Sequence, residues 1–297
     1  MIEPAIIVEY GAAIDPNSMV APTDIAEFEL EPAHPGLGDD SYIARRKFLF
    51  DITRQHRLAK QPPPLIEYTE EETRIWRDVS PQLDELHVKH ASEIYLKAKR
   101  ELAITEEEIP QLRTLSERVT GETNMRLVPA EGALPYRTFY ESIADRGFPV
   151  TQFLRHGSHP EFTPEPDMIH DCLGHVPPLM NRDYAELLTL IGKAAATTPN
   201  GEHVLMLKRF SWFSIEFGLI EERGEVKVFG AGILSSFGEI PHSLSGAGAR
   251  RRPFVTEDVI RQDYDPSHMQ VEFFIAPSFA FLRSELEALV KRLGIRI

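Results

Sequence analysis

Cysteine is almost absent from the sequence: Cys172 is the single one among 297 residues. A lone cysteine excludes an intrachain disulfide and a zinc cage built from several thiolates, and a free thiol is typical of a reducing compartment. The chain also lacks an apolar run of the roughly 20 residues that a membrane span needs. Its first residues have no basic segment of the kind that starts a signal peptide. We therefore expect a cytoplasmic protein.

Basic residues are fewer than acidic ones, 32 against 46, which gives a formal net charge of -14 at pH 7. A negative field of this size repels phosphate backbones and anionic lipids. We therefore expect neither a nucleic-acid nor a membrane partner. The expected partners are small molecules, bound by a monomer or a small oligomer.

Several common catalytic and nucleotide-binding motifs are missing. The strand-like EVKVF is followed by Gly230-Ala231-Gly232, but the third glycine and the strong helix of a dinucleotide fingerprint do not follow. The sequence contains no phosphate-binding P-loop and no Gly-x-Ser-x-Gly nucleophile elbow. These absences argue against a nucleotide-dependent enzyme and against a serine hydrolase.

Hydrophobic residues make up 42% of the chain, enough to bury a sizeable core, and their spacing is mainly helical. We predict a mainly α (α+β) fold, in which an irregular extension (residues 1–40) precedes one large domain (residues 41–297). Pattern and capping residues predict a helix that starts at a cap on Asp40 or Ser41, and two helices over residues 67–98 that are broken near Pro81. Further helices are predicted over residues 106–121 (capped by Thr105), 134–144, 167–174, 184–196, 205–220 and 278–293, with short strands over 225–229 and 269–275.

Two histidines stand five residues apart in the segment TPEPDMIHDCLGHVPP, residues 163–178. On an unbroken α-helix, His170 and His175 would not share a face. Gly174 and the two prolines after His175 are expected to break the helix, so that His175 turns back toward His170. A clamp of two imidazoles then becomes feasible, although two histidines at a helix end are more often structural than metal-binding.

A carboxylate in an apolar stretch is the third candidate ligand. Glu216 lies within the run LMLKRFSWFSIEFGLI, where burial is costly unless the carboxylate is paired, protonated or bound to a cation. Trp212 precedes it by four residues and would lie on the same helical face. A structural salt bridge to a buried arginine or lysine is the alternative for Glu216 at this point.

Two imidazoles and one carboxylate form the facial triad of non-haem iron(II) oxygenases. Zinc is the chemical rival, because two histidines and a glutamate also bind zinc in hydrolases. The zinc-peptidase motif His-Glu-x-x-His needs a spacing of four, whereas here the spacing is five and Asp171 follows His170. The zinc-peptidase template therefore fails, while an iron(II) site and a zinc hydrolase site, each built from His170, His175 and Glu216, both remain open, as do structural roles for these residues.

The segments TPEPDMIHDCLGHVPP, RFSWFSIEFGLI and FGAGILSSFGE resemble the tetrahydropterin-dependent aromatic amino acid hydroxylases, in the order and spacing of that family. The resemblance runs from about residue 40 to the C-terminus and is nearest to the bacterial phenylalanine hydroxylases. It implies a helix-rich, basket-like catalytic domain with iron(II) at its centre. It also implies a monooxygenase that uses dioxygen and a tetrahydropterin, with phenylalanine as the expected substrate and tyrosine as the expected product.

The resemblance implies roles for residues around the metal site. Arg155 matches the arginine that binds the substrate carboxylate, with Asp167 orienting it and Thr163 beside it; the residues alone would equally allow a surface ion pair. Trp212 matches the wall against the substrate ring, where simple core packing is the alternative. Gly232, Ser235 and Glu239 match substrate-side positions, Ser235 being placed to fix a ligand histidine. Gly132, Leu134, Phe139 and Asp171 match the pterin site, Asp171 standing where animal members carry glutamate.

Ser211 departs from the family pattern, because members usually carry an aromatic residue, commonly tyrosine, before the tryptophan. The smaller side chain opens volume beside the metal or the pterin. This leaves hydroxylation at another position or ring as an alternative, such as phenylalanine 3-hydroxylation or tryptophan 5-hydroxylation. A non-catalytic binding protein with the same fold is a third class of function.

Overall fold

The structure is a computed structural model that describes residue 30 and residues 34–132, 134–160, 163, 165–266 and 268–297. Most of the predicted N-terminal extension lies outside these residues. Within the described part, helices predominate and short strands accompany them, so the predicted mainly α (α+β) fold is confirmed. None of the helices in these ranges is long and apolar enough to cross a bilayer.

The helices follow one another along almost the whole described chain. Two five-residue π-helical turns, Asp171–His175 and Trp212–Glu216, and one 3-10 turn, Pro177–Met180, interrupt the α-helical pattern. The α-helices are α1 (Asp40–Leu58), α2 (Glu70–His90), α3 (Glu93–Glu101), α4 (Leu112–Thr123), α5 (Tyr136–Ala144), α6 (Met168–His170), α7 (Arg182–Thr197), α8 (Gly201–Ser211), α9 (Ala231–Leu234), α10 (Glu239–Ser245), α11 (Thr256–Val259) and α12 (Phe279–Arg292).

The strands form two small sheets. The strands are β1 (Arg126–Ala130), β2 (Gly147–Thr151), β3 (Gly218–Glu222), β4 (Glu225–Val228), β5 (Arg250–Pro253) and β6 (Glu272–Ala276). One sheet is the parallel pair β1 and β2, and the other has four strands in the order β4-β3-β6-β5. In the larger sheet β3 is antiparallel to β4 and parallel to β6, and β5 is parallel to β6.

The predicted break near Pro81 is wrong, because α2 runs through this proline without interruption. Proline removes one helical hydrogen bond, but other contacts outweigh that loss. At the start of the helix, Thr69 and Glu72 form a capping box. Trp76 and Leu83, on either side of the proline, are fully buried. The helix instead ends at His90, nine residues beyond the proline.

Two other helices differ from prediction at their N-terminal ends. α1 begins at Asp40 as predicted, but its cap is Asp39, whose carboxylate accepts the backbone N–H groups of Ser41 and Tyr42 at 3.0 Å. α4 begins at Leu112 and not near Thr105, because Pro110 disfavours helical geometry in the residue before it. The predicted helices over residues 134–144, 184–196 and 278–293 are confirmed within two residues at each end.

The predicted helix over residues 205–220 is wrong in its second half. α8 ends at Ser211, a π-helical turn follows, and β3 begins at Gly218. The Gly218 carbonyl accepts the backbone N–H groups of Phe229 and Gly230 at 3.3 and 3.1 Å, so pairing with a later segment replaces helical bonds. The strands predicted over 225–229 and 269–275 are confirmed as β4 and β6, although β6 begins at Glu272.

The main core is an apolar cluster that extends from α2 to α12, and a smaller second cluster consists of Leu49, Ile66 and Phe153. Helix α7 lies at the centre of the main core, because both α5 and α12 pack against it and its side chains Leu187, Leu188 and Ile191 are buried. The first π-turn contacts α6, α9 and β2, and the second contacts α8, α9 and β3. Helix α9 therefore touches both π-turns and joins them beside the core.

Candidate metal centre

The first π-turn brings the two histidines together. His170 ends α6 and His175 ends the turn Asp171–His175, and their Nε2 atoms lie 3.1 Å apart. In a π-turn the hydrogen bond spans five residues, as in the bond from Val176 N to Asp171 O at 2.9 Å. Two residues five apart then lie on nearly the same side of the turn. A spacing that would separate the two side chains on an α-helix therefore brings the imidazoles of His170 and His175 together here.

Gly174 does not break the helix, contrary to the sequence-based interpretation. It lies inside the π-turn, where its backbone packs closely against α9. A Cβ added at Gly174 would lie 2.8 Å from the Ala231 carbonyl oxygen, closer than carbon and oxygen can approach without displacement. The glycine therefore allows the close approach of the two segments, and the change in hydrogen-bond register produces the turn.

The second π-turn delivers the carboxylate. Glu216 is its last residue, and Phe217 N donates to Trp212 O at 2.8 Å across the turn. One carboxylate oxygen lies 3.3 Å from His175 Nε2 and the other 3.8 Å from His170 Nε2. The three candidate donor atoms all lie within 4.8 Å of one another.

Ser235 fixes the tautomer of His170. Its hydroxyl donates a hydrogen bond to the Ala231 carbonyl at 2.8 Å. Its oxygen can therefore only accept the hydrogen bond from His170 Nδ1–H at 2.9 Å. A histidine with its proton on Nδ1 carries its lone pair on Nε2. That lone pair points toward the other two donor atoms, which is the arrangement that supports a metal-ligating imidazole.

The electrostatics of the cluster favour a ligand set. Burial and the neighbouring His175 lower the pKa of His170 to about 4. Burial favours the neutral form of Glu216, but the two histidines outweigh it and hold the carboxyl pKa below its ordinary value. Burial also opposes charge on His175, but the Glu216 carboxylate outweighs it and raises the pKa of that imidazole. At neutral pH Glu216 is therefore a carboxylate and His170 a neutral imidazole, and both are in the form that binds a cation.

The residues fit a divalent cation. Three donor atoms converge in a space where, without a cation, lone pairs of two imidazoles and a carboxylate face one another. His175 Nδ1 is buried and has no hydrogen-bond partner within the described part of the chain. A cation bound here would take the place of the proton that the Glu216 carboxylate favours on His175 Nε2.

A cleft opens from this cluster, and its lining combines the three candidate ligands with apolar and aromatic side chains. Its walls are mainly apolar and aromatic, with a few polar side chains. The lining includes all three candidate ligands, the expected residues Phe139, Trp212 and Ser211, and also Tyr140, Ile143, Phe148, Pro166, Leu188, Ile191, Lys208, Ile215 and Tyr264.

Trp212 forms one wall of the cleft together with a residue that sequence reasoning missed. Its ring stacks on Tyr264, with the ring centroids 4.2 Å apart and an interplanar angle of 10°. Its indole N–H donates to Gln270 Oε1 at 3.0 Å. Trp212 is therefore part of a fixed aromatic wall and not only of the core.

Arg155 and Asp167 form a buried ion pair, which removes the alternative of a surface pair. The guanidinium donates to both carboxylate oxygens at 2.9 Å and to the Pro160 carbonyl at 3.2 Å. Asp167 also accepts the backbone N–H groups of Arg155 and His170, which ties the arginine to the first ligand. Neither side chain is among the described residues that line the cleft. Thr163 donates to the Glu165 carbonyl.

Of the residues expected at the pterin site, Phe139 lines the cleft and Leu134 is buried. Gly132 has a φ of 157°, and Ala133, between Gly132 and Leu134, lies outside the described residues. Asp171 instead is fully buried, and one carboxylate oxygen accepts the Thr151 backbone N–H and hydroxyl, both at 2.7 Å. Asp171 holds β2 against the first π-turn and is not among the cleft-lining residues.

Gly232 and Glu239 are not among the described residues that line the cleft. A Cβ added at Gly232 would lie 2.7 Å from the Phe217 ring and 3.2 Å from the Glu216 carbonyl oxygen, so the glycine lets α9 approach the second π-turn. Glu239 is buried, and its Oε1 accepts the backbone N–H of Gln270 at 2.9 Å. Burial raises the pKa of the Glu239 carboxyl to about 7.

Comparison with protein families gives a clear result. A model of the biopterin-dependent aromatic amino acid hydroxylases matches residues 16–296. The rat phenylalanine-4-hydroxylase is 39% identical over 256 residues, which are 85% of this chain and 56% of that protein. The bovine tyrosine 3-monooxygenase is 38% identical over 269 residues, 89% of this chain and 54% of that protein. The chain thus spans about half the length of these relatives.

Solved structures of bacterial phenylalanine hydroxylases share the fold. That of Chromobacterium violaceum, with iron(III) and oxidised 7,8-dihydrobiopterin bound, has a TM-score of 0.72 at 28% identity and covers 82% of this chain and 92% of its own. The apo structure of the cold-active enzyme from Colwellia psychrerythraea has a TM-score of 0.72 at 27% identity and covers 77% of this chain and 90% of its own.

Proposed function

This chain belongs to the biopterin-dependent aromatic amino acid hydroxylases, and we propose that it converts L-phenylalanine to L-tyrosine with iron(II), dioxygen and a tetrahydropterin. In the net reaction one oxygen atom of dioxygen enters a ring C–H bond. The tetrahydropterin supplies two electrons and takes up the other oxygen atom, and so becomes a hydroxypterin. The observation that carries the proposal is the convergence of His170, His175 and Glu216 at the base of an aromatic-lined cleft.

His170, His175 and Glu216 are the residues that would hold the iron. Two neutral imidazoles and a carboxylate on one side leave other coordination positions open. Iron(II) bound there supplies the activation of dioxygen. Ser235 contributes by keeping the His170 proton on Nδ1, away from the ligand atom.

The cleft supplies the binding surface for the aromatic ring. Trp212 and Tyr264 present stacked rings to it, and aromatic side chains contribute offset-stacking or edge-to-face contacts to a ligand ring. For the amino acid carboxylate we propose Arg155, whose guanidinium has five N–H groups, of which three bond Asp167 and Pro160.

The test is a product analysis with the reconstituted protein. The chain is loaded with iron(II) and supplied with a tetrahydropterin and air, and phenylalanine, tyrosine and tryptophan are offered separately. We expect para-tyrosine from phenylalanine, with no product when oxygen or pterin is omitted. Absence of any hydroxylated product from an iron-loaded sample would overturn the proposal, and turnover with zinc under anaerobic conditions would favour the hydrolase alternative.

Hydroxylation of tyrosine is the second candidate, because relatives named for phenylalanine and for tyrosine are equally similar to this chain. Ser211 lines the cleft beside Trp212, and its small side chain also keeps open meta-hydroxylation of phenylalanine and 5-hydroxylation of tryptophan. The same product analysis separates these reactions, since each gives a different isomer. A Ser211→Tyr variant then shows whether this position selects the ring.

A further inference from the structure

Gln270 connects the aromatic wall of the cleft to the loop beside it. This residue is 4% exposed and lies two residues before β6. Its side-chain Oε1 accepts the Trp212 indole N–H at 3.0 Å. Its Nε2 donates to the carbonyls of Asp265 at 2.7 Å and His268 at 3.0 Å.

The orientation of this amide follows from its partners. A flipped amide would point its NH₂ group at the Trp212 N–H and its oxygen at two carbonyls, so donors would face donors and acceptors would face acceptors. In the observed orientation both N–H groups of Nε2 are used and Oε1 has its donor. The three bonds therefore specify one side-chain position.

The backbone of Gln270 is held as firmly as its side chain. Its N–H donates to Glu239 Oε1 at 2.9 Å, and its carbonyl lies 2.8 Å from His242 Nε2. Both partners belong to α10. Gln270 is thus fixed to α10 through its main chain, while its amide reaches Trp212 on one side and the loop on the other.

The bonds of Gln270 restrain both rings of the wall, Trp212 directly and Tyr264 through its neighbour Asp265. Tyr264 precedes Asp265 directly, so holding the Asp265 carbonyl also restrains the tyrosine that stacks on Trp212. Trp212 begins the π-turn that ends at Glu216. One side chain therefore sets the position of both rings relative to a candidate metal ligand.

We propose that Gln270 is a positioning residue, which holds the Trp212–Tyr264 ring pair where the aromatic substrate ring packs and so directs that ring toward the metal site. The inference rests on the proposed function, because it assumes an aromatic substrate in this cleft. Gln270 itself does not line the cleft and acts through the two rings.

A spectroscopic test reads the position of Trp212 without any turnover. The chain has two tryptophans, so 5-fluorotryptophan labelling gives two ¹⁹F resonances, which a Trp212→Phe variant assigns. In Gln270→Met, which keeps the volume but loses all three amide bonds, we expect the Trp212 resonance to shift and broaden. The Trp76 resonance should stay in place, because Trp76 donates to Thr105 far from this wall. An unchanged Trp212 resonance would overturn the proposal.

Gln111→Met is the matched control, since the amide of this glutamine also bonds backbone groups, those of Ile66, and contacts neither ring of the wall. It should leave the Trp212 resonance unchanged. Gln270→Asn keeps an uncharged amide but shortens the side chain by one methylene, so that it cannot reach Trp212 and both carbonyls together. We expect its Trp212 resonance to shift less than in Gln270→Met, and this variant decides the question if the methionine variant does not fold.

A kinetic test separates positioning from a merely structural role. The readout is the amount of hydroxylated amino acid formed per tetrahydropterin oxidised. In Gln270→Met we expect this ratio to fall by about tenfold, because a misplaced ring is no longer presented to the reacting centre. A structural role would lower the active fraction and leave the ratio unchanged, which would overturn the proposal. If the native protein hydroxylates no amino acid, the proposed function fails, and the ¹⁹F test alone decides whether Gln270 positions Trp212.

Discussion

The metal end of the cleft and its aromatic wall are built by different means. At the metal end, two π-turns of the backbone place His170, His175 and Glu216, and each turn is closed by its own main-chain bonds. The wall depends on a side-chain bond from Trp212 to Gln270, 58 residues away in the sequence. Local backbone geometry thus defines the proposed metal site, and a long-range contact defines the proposed ring-binding wall. Because Trp212 belongs to both the wall and the second π-turn, we expect side-chain changes elsewhere in one region to be tolerated by the other.

The largest expected effect is the loss of the carboxylate ligand. In Glu216→Ala we expect turnover to fall by at least about 1,000-fold, because a metal site deprived of a ligand loses several kcal/mol of binding and activation. The protein should still fold, since removing a buried charge costs little packing. The measurements are iron content and product formation. Glu221→Ala, at an exposed position of β3, is the control, and retained activity in Glu216→Ala would contradict a ligand role.

The same contrast between local and long-range contacts explains which features of the molecule could be predicted from the sequence. The metal-end residues were recognisable because their signals are local: two histidines near each other, and a glutamate in an apolar run. Helix ends were equally local where a capping side chain marks them, as Ser278 does for α12. In these places the residue type and its neighbours along the chain carry the information.

Other features depend on contacts that no local pattern reports. The π-turns differ from α-helix by one residue in hydrogen-bond register, and nothing in the composition of Trp212–Glu216 marks that change. The first half of β3 was assigned to a helix because its apolar residues continue the apolar run of α8, while its pairing with β6 joins residues more than 50 positions apart. Gln270 and Tyr264 were missed for the same reason, since only the fold brings them to Trp212.

The next largest effect concerns the wall and depends on pH. Burial raises the pKa of Glu239 from its ordinary 4.5 to about 7, so the folded protein binds this proton more tightly than the unfolded chain. Stability therefore falls as pH rises through this range and is lowest above it. Glutamine mimics the protonated acid and keeps an acceptor for Gln270 N–H. We expect the stability of Glu239→Gln relative to the native protein to increase by up to about 3 kcal/mol between pH 5 and pH 8.

Denaturant unfolding of both proteins at the two pH values measures this difference, and effects of pH on the histidines cancel because both proteins contain them. Glu221→Gln provides the control, since that side chain is exposed. An equal difference at pH 5 and pH 8 would show that Glu239 does not titrate in this range.

A smaller effect is expected when the orientation of a ligand is loosened. Ser235→Ala removes the acceptor for His170 Nδ1, and loss of such a partner typically weakens metal affinity by about 10- to 100-fold. Iron(II) titration measures it. Ser236→Ala is the matched control, because that hydroxyl accepts the backbone N–H of Glu239 and contacts neither histidine. Equal affinities of the Ser235→Ala variant and the native protein would show that packing alone orients the imidazole.

The smallest effect tests whether backbone packing holds the first π-turn. In Gly174→Ala the new methyl group would meet the Ala231 carbonyl at 2.8 Å, and we expect a loss of about 1–3 kcal/mol in the free energy of unfolding, with weaker iron binding. Gly121→Ala, inside α4 with open space around it, should instead stabilise by about 0.5–1 kcal/mol. Thermal unfolding of the two variants gives the opposite signs if close approach at Gly174 matters. If both variants are stabilised, α9 can move away without cost, and the metal end would depend on its ligands more than on its backbone.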